Sequence, residues 1–128
     1  MVALQLRHEV VAGRALRPRA PADLAGRAIP VGENALDYTV REPLGVTAHI
    51  APWNYPLLLA CRGIAPALAA GNTVVLKPAS LPPLTALKLA ELTSVAGFPA
   101  GVFNVVSGPG HEVGGALARH PDVASVTL

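Results

Sequence analysis

Charged side chains are scarce in this sequence of 128 residues. Aspartate, glutamate, lysine and arginine together make up 14% of it, whereas hydrophobic residues make up 52%. That composition excludes an intrinsically disordered chain and suffices for one domain with a hydrophobic core. A small domain has a large surface relative to its volume. We therefore expect much of this surface to contact further protein, either the rest of a chain or another subunit.

Aromatic residues are also few, at 4% of the chain. Five of the ten lysines and arginines are arginines within residues 1–28, where the only acidic residues are Glu9 and Asp23. No basic stripe continues through the remaining sequence, and there are few aromatic rings on which bases could stack. Nucleic acid is therefore not an expected partner.

Cysteine is limited to Cys61, which excludes an internal disulfide and a zinc site built from several cysteines. A single cysteine is typical of a reducing cytoplasm, where we expect this protein. The four histidines are scattered without metal-ligand spacing, so no metal is expected. No apolar run approaches about 20 residues, which predicts no membrane span. The arginine-rich beginning contains no serine, and we interpret it as the irregular N-terminus of a larger protein rather than a transit peptide.

The pattern along the chain divides it into three regions. Residues 1–25 show no sustained period and are interrupted by prolines, so they predict an irregular segment. Residues 26–44 predict a short β-hairpin and bridging strands. Its extended segments are Ala28–Val31 and Ala35–Arg41, and its turn is Gly32-Glu33-Asn34. Residues 45–128 predict the main domain, in which strands and helices alternate.

Strands and helices alternate in the third region. The predicted strands are Gly45–Ala51, Thr73–Leu76, Val102–Val106 and Ala124–Leu128, and the predicted helices are Pro56–Ala70, Leu84–Ala96 and Glu112–Arg119. This alternation indicates an α/β fold with right-handed crossovers. We predict a partial Rossmann-like parallel sheet with flanking helices, preceded by the short β-hairpin. Because no helix follows the last strand, we expect one sheet face to be incompletely covered.

Three predicted strands are followed by residues suited to ligand binding, at the sheet edge where such folds bind ligands. The segments are Pro52-Trp53-Asn54, Lys77-Pro78-Ala79-Ser80 and Ser107-Gly108-Pro109-Gly110. Lys77 either binds a ribose hydroxyl or a phosphate, or is a solvated lysine, which is the commoner role. Asn54 either caps the next helix, its commoner role, or directs its amide at an oxyanion.

The glycine-rich segment that begins at Gly108 and includes Gly114 also has two interpretations. It either lets the backbone approach a pyrophosphate or is an ordinary tight turn. Its glycines do not fit G-x-G-x-x-G in register, so the dinucleotide signal is weak. Cys61 lies within an apolar helical stretch, which favours a buried, inert thiol over a nucleophile.

Several segments together resemble the aldehyde dehydrogenase superfamily from about Gly26 to Leu128. They are R-E-P-L-G-V at 41–46, A-P-W-N-Y-P at 51–56, I-A-P-A-L-A-A-G-N-T-V-V-L-K-P-A at 64–79, A-G-F-P-A-G-V-F-N-V-V at 96–106 and H-P-D-V at 120–123. The resemblance implies a fragment of an oxidoreductase that oxidises an aldehyde to a carboxylic acid with NAD or NADP. It also implies that residues 45–128 are part of an NAD(P)-binding domain, and that the full-length protein is a homo-oligomer.

The same resemblance implies roles for individual residues. Asn54 would be the side-chain amide of an oxyanion hole. The cofactor would be bound by Ile50, Ala51, Pro52 and Trp53 on the nicotinamide-ribose side, by Lys77 at the adenosine ribose, and by Gly110 and Gly114 along the adenosine and pyrophosphate. Ser80 stands where NAD-preferring members often carry a glutamate. A serine would not repel a 2′-phosphate, so we expect NADP to be tolerated beside NAD.

The catalytic cysteine and the general-base glutamate of the family have no counterpart among these residues. We therefore expect the 128 residues alone to be inactive. An alternative hypothesis is a non-catalytic truncated product, or a binding module, that associates with other subunits. The sequence does not predict which aldehyde is oxidised.

Overall fold

The computed structural model describes residues 26–32, 35–80 and 83–128. The predicted irregular segment 1–25 and the turn residues Glu33 and Asn34 lie outside the described residues. Strands β1 (Ala28–Ile29) and β2 (Asp37–Tyr38) pair antiparallel. The short β-hairpin predicted ahead of the main sheet is thereby confirmed.

The main sheet contains four parallel strands in the order β5-β4-β3-β6. They are β3 (Val46–Ile50), β4 (Thr73–Lys77), β5 (Phe103–Val105) and β6 (Val123–Thr127). β3, β4 and β5 lie side by side in chain order, and β6 pairs with β3 on the side opposite β4. That reversal places a topological switch point between β3 and β6, where open α/β sheets bind ligands. The predicted α/β fold with a partial Rossmann-like sheet is confirmed.

The connections between the strands are helical. They are α1 (Pro56–Ala69), α2 (Leu84–Val95), and a π-helical turn (Gly110–Gly114) that continues into α3 (Gly115–Arg119). α1 begins with a proline in its first turn, where the missing N–H has no helical partner to lose. Gly71, with φ of 82°, follows the end of α1. The third connection begins two residues earlier than the predicted Glu112, because the π-helical turn precedes α3.

The core lies between the sheet and the first two helices. Its buried residues are Ala51, Ala60, Ile64, Val74, Leu76 and Ala86. Small alanines on both helices let them approach the sheet closely. On the other face, Gly114 lies next to Ile50, and an ideal Cβ on residue 114 would stand 3.4 Å from the Ile50 Cδ1. No helix within the described ranges is long and apolar enough to cross a membrane.

Candidate functional site

The loop after β3 presents Asn54 to solvent. The backbone N–H of Ala51 donates to the Lys77 carbonyl at 3.0 Å, which holds the start of this loop against β4. Tyr55 then has φ of 68° and ψ of 52° and is itself the residue that precedes α1. The interpretation of Asn54 as a helix cap is wrong, because Tyr55 occupies the cap position and no described side chain caps α1. The Asn54 amide is left on an exposed bend, and a left-handed backbone at a tyrosine is uncommon enough to indicate a constrained turn.

Lys77 is buried at the end of β4, with 3% of its surface exposed. The interpretation as a solvated strand-end lysine is therefore wrong. Its Nζ donates to the Pro78 carbonyl at 2.9 Å. An ammonium group carries three N–H donors, so two more can serve a ligand. A buried charge is stable only when it is well partnered, and a ribose, which offers hydroxyl acceptors, fits this group.

Ile50, Lys77 and Gly114 come together on the sheet face opposite α1. Ile50 and Lys77 are register partners in adjacent parallel strands, so their side chains project to the same face. Gly114 lies against Ile50 from the π-helical turn. An ideal Cβ on Gly110 would have no heavy atom of the other described segments within 4 Å, so these segments leave the backbone open there. These predicted cofactor residues, from the ends of β3 and β4 and from the π-helical turn, thus lie at one edge of the sheet.

Ser80 joins the loops that follow β4 and β5. Its Oγ donates to the Gly108 carbonyl at 3.2 Å. Gly108 has φ of 152°, and a Cβ there would stand 2.5 Å from the Val113 Cγ2. Glycine is therefore required at this turn by both backbone conformation and space. Ser80 supplies an uncharged hydroxyl beside the glycine-rich turn.

Two cavities lie at the carboxyl ends of the strands. The smaller has a volume of about 110 Å³, and Trp53, Pro78 and Ala79 are among its lining residues. The larger has about 400 Å³ and lies at the switch point between β3 and β6, where Ile50, Ala51 and Pro52 contribute to its lining. The predicted nicotinamide-side residues therefore all line a cavity at this edge, and Ala51 lines both.

Arg62 also lines the larger cavity, although sequence reasoning did not select it. It is the only lysine, arginine, aspartate or glutamate between Glu42 and Lys77. A single charged residue in a long stretch without other charges was the sequence feature that could have marked Arg62 as a candidate site residue. The residue lies on α1, and a helical period alone does not show that β6 returns beside β3 to form this cavity.

His49 is a second residue that sequence reasoning did not select. It is buried, and its Nε2 lies 3.1 Å from the Thr47 Oγ1. The Thr47 hydroxyl already donates to the Thr73 carbonyl at 2.9 Å, so Nε2–H must be the donor to Thr47. Nδ1 then carries a lone pair and has no hydrogen-bond partner among the residues that the structure describes. Burial lowers the pKa of His49, which keeps the ring uncharged.

Cys61 faces away from the carboxyl ends of the strands. It lines an apolar cavity of about 420 Å³ together with Leu68, Leu89 and Phe98. Thr73 at the start of β4 and Val102 just before β5 also line it, so this cavity belongs to the opposite edge of the sheet. Among the described residues, no group of three or more histidine, cysteine or acidic side chains could hold a metal ion.

Comparison with known proteins identifies the family. The family model for the aldehyde dehydrogenase family matches residues 12–128. A hydroxyisobutyraldehyde dehydrogenase from Mycolicibacterium austroafricanum is 64% identical over 105 residues, which are 82% of this chain and 21% of that protein. The match to the family model covers most of the chain and agrees with the motifs quoted above.

Solved structures agree with the sequence match. PnpE in complex with nicotinamide adenine dinucleotide is 49% identical with a TM-score of 0.78, over 81% of this chain and 21% of that one. An NADP-dependent enzyme from E. coli is also 49% identical, with a TM-score of 0.75, over 81% and 22% respectively. The chain spans about a fifth of the length of these relatives. The family match and the shared sheet together show that this chain belongs to the aldehyde dehydrogenase family.

Proposed function

We propose that this chain supplies the cofactor cleft and one oxyanion-hole donor for the NAD(P)-dependent oxidation of an aldehyde to a carboxylic acid. The observation that carries the proposal is the buried Lys77 ammonium, with two donors left for a ligand, at the same sheet edge as Ile50 and Gly114. In the overall reaction an aldehyde, a water molecule and NAD(P)⁺ give a carboxylate, NAD(P)H and two protons.

Some of these residues would bind the cofactor, and Asn54 would stabilise the charge that develops on the aldehyde oxygen. Lys77 would donate to the adenosine ribose, while Gly110 and Gly114 would let the backbone approach the adenosine and pyrophosphate. The loop residues Ile50, Ala51, Pro52 and Trp53 would line the nicotinamide-ribose side. When bound, NAD(P) accepts the hydride. The Asn54 amide would donate to the aldehyde oxygen as negative charge develops on it, and such donors lower the barrier most when they are fixed in advance.

Both NAD and NADP fit the environment of Ser80. The hydroxyl donates to the Gly108 carbonyl and carries no charge. A carboxylate at this position would repel a 2′-phosphate, whereas a hydroxyl does not. The similarity to an NADP-dependent enzyme supports this part of the proposal.

Self-association is part of the same proposal. The segment around β1 and β2 exposes apolar side chains, with Leu36, Tyr38 and Val40 all more than 60% exposed. Exposed apolar side chains in one patch readily contact further protein. We therefore propose a homo-oligomer, in the cytoplasm as the single cysteine favours. A non-catalytic module that binds other subunits would use the same surface, and the experiment below separates the two.

Replacing Asn54 tests the proposed function in the protein expressed from its complete coding sequence. Asn54→Ala should lower kcat about 100- to 1000-fold, the usual loss for one oxyanion donor, with an unchanged Kd for NAD. Asn104→Ala is the matched control, because the Asn104 amide donates to the Gly101 carbonyl within its own turn. An unchanged kcat in Asn54→Ala contradicts the assigned role. Absence of NADH formation in the unsubstituted protein contradicts the proposed enzymatic function and favours the non-catalytic module that binds other subunits.

A further inference from the structure

Helix α2 is apolar on the face that points away from the sheet as well as on the face that packs against it. Its buried and half-buried side chains are Ala86, Leu89, Ala90 and Thr93. Its exposed apolar side chains are Leu84, Leu87, Leu92 and Val95. Leu84 is 70% exposed and Val95 is 79% exposed, so no described segment of the chain covers this side of the helix. A helix that is apolar all round is usually buried on both sides, and we therefore expect further protein here.

Two opposite charges lie on the same exposed side of α2. The Lys88 Nζ donates to the Glu91 Oε1 at 2.8 Å, and both side chains are 61% exposed. With about 100° of rotation per residue, these two residues and the four exposed apolar ones fall within about 140° of the helix circumference. We call this set the α2 outer face, and it consists of Leu84, Leu87, Lys88, Glu91, Leu92 and Val95.

The α2 outer face is complementary to a second copy of itself. A two-fold axis that crosses the helix between Leu89 and Ala90 would pack two copies of α2 antiparallel. Across that axis each apolar residue meets an apolar residue of the other copy, namely Leu84 with Val95 and Leu87 with Leu92. Each Lys88 meets the Glu91 of the other copy. A two-fold interface requires this reciprocal matching of one surface with itself.

The charges distinguish the antiparallel arrangement from the parallel one. In a parallel pair, each Lys88 would lie opposite Lys88 of the second copy and each Glu91 opposite Glu91, and like charges across an interface disfavour association. In the antiparallel pair, four charges alternate in sign around the axis. The ion pair within each copy is kept, and two further pairs join the copies. Charged residues within an apolar helix contact can thereby fix its direction and register.

We propose that the α2 outer face is an interaction surface, and that its partner is the α2 outer face of a second copy of this chain. The apolar side chains provide the driving force for the contact, and Lys88 and Glu91 select the antiparallel register. This surface is separate from the one around β1 and β2. The inference goes beyond the proposed function, because an enzyme and a non-catalytic module would use this surface alike.

Charge reversal on α2 tests the inference in the protein expressed from its complete coding sequence. Lys88→Glu gives a face with two acids and Glu91→Lys gives a face with two bases, so copies of either variant repel one another. The dissociation constant across this face should rise at least about tenfold in each variant. Analytical ultracentrifugation should then show about half the mass of the wild-type assembly. Arg119→Glu reverses the same charge at an exposed position on α3 and should keep the wild-type mass.

Mixing the two variants separates a contact between copies from the ion pair within one copy. In an equimolar mixture of Lys88→Glu and Glu91→Lys, each acid can again face a base, so the wild-type mass should return. The mixture leaves the like charges within each copy unchanged. A variant carrying both substitutions should associate by itself as wild type does, which shows that the exchanged residues are compatible with folding.

Three results would overturn the inference. The first is a wild-type mass in both single variants, as expected if another segment of the same polypeptide covers α2. The second is a mixture that does not regain the wild-type mass. The third is a wild-type protein that stays monomeric at all concentrations. NADH formation by such a monomer would leave the proposed enzymatic function standing, so the two failures are distinguishable.

Discussion

Gly63 in α1 lies so close to His49 in β3 that an ideal Cβ on residue 63 would stand 2.5 Å from the His49 Nδ1. The absence of a side chain at Gly63 therefore sets how closely α1 approaches the sheet. Because α1 begins just after Asn54, this contact also sets the position of that proposed oxyanion donor relative to the strands.

Gly63→Ala should destabilise the protein. Overpacking costs about 1–3 kcal/mol, which exceeds the roughly 1 kcal/mol that alanine gains over glycine in a helix. Gly115→Ala in α3 is the matched control, because its Cβ would meet the Arg119 guanidinium, the movable end of a long side chain, at 3.1 Å. Chemical denaturation should show a lower free energy of unfolding for Gly63→Ala only. Equal effects at the two positions would mean that the His49 contact does not limit packing.

The buried His49 should make stability depend on pH. Burial lowers the pKa of His49 in the folded protein below the ordinary value of 6.5. Unfolding therefore takes up a proton once the pH falls below about 6.5, and stability decreases as the pH falls through this range. His49→Gln should flatten the pH dependence of the free energy of unfolding.

The control for this prediction is His111→Gln, at a histidine exposed on the π-helical turn. That variant should keep the pH dependence of the unsubstituted protein. If the slope between pH 7.5 and 5.5, a range chosen to bracket the ordinary histidine pKa, were the same in His49→Gln as in wild type, His49 would not be the titrating group.

Ser80→Glu should make the cofactor site selective for NAD. A carboxylate there would repel the 2′-phosphate of NADP and would accept hydrogen bonds from the ribose hydroxyls of NAD. We expect the ratio of the NADP and NAD dissociation constants to rise at least about tenfold, or about 1.4 kcal/mol. Titrations followed by the fluorescence of Trp53 would measure both constants.

Ser80→Ala separates charge from the loop contact, since it removes the hydrogen bond to the Gly108 carbonyl without adding a charge. It should weaken the binding of both cofactors similarly. A wild-type preference of tenfold or more for NAD would show that Ser80 does not relax the cofactor choice.

Local pattern was sufficient to predict most of the fold. β-Branched and apolar runs predict β3, β4 and β5, and the glycines at 71 and 97 follow the ends of α1 and α2, where left-handed φ values of 82° occur. The family resemblance, rather than periodicity, led to the roles of Lys77 and Asn54. From spacing alone, both residues favour the commoner role, and the structure shows that neither has it.

The remaining features depend on contacts between distant segments. Lys77 is buried because β4 lies inside the sheet, and no spacing around residue 77 encodes that position. Arg62 lines a cavity only because β6 returns beside β3. The His49 contact joins a strand to a helix residue fourteen positions later, and a single glycine in a helical pattern does not indicate its partner.

The 128 residues alone should form no NADH with any aldehyde. Cys61 lines an apolar cavity at the edge of the sheet opposite Asn54, so its thiol is not placed to attack a carbonyl bound there. Absorbance at the NADH wavelength, recorded with a panel of aldehydes and NAD or NADP, would check this. NADH formation that disappears in Cys61→Ser would contradict the structural role of this cysteine.

Equilibrium binding of NAD to wild type and to Lys77→Met tests the cofactor cleft most directly. Lys77→Met keeps an unbranched buried side chain but removes the donors, whereas Lys88→Met removes an exposed lysine paired with Glu91 and serves as control. The proposed cleft predicts saturable NAD binding that weakens at least about tenfold in Lys77→Met only, as expected for the loss of charged hydrogen bonds. Binding of equal strength in Lys77→Met and wild type, or no saturable binding by wild type, would contradict the proposed cofactor site.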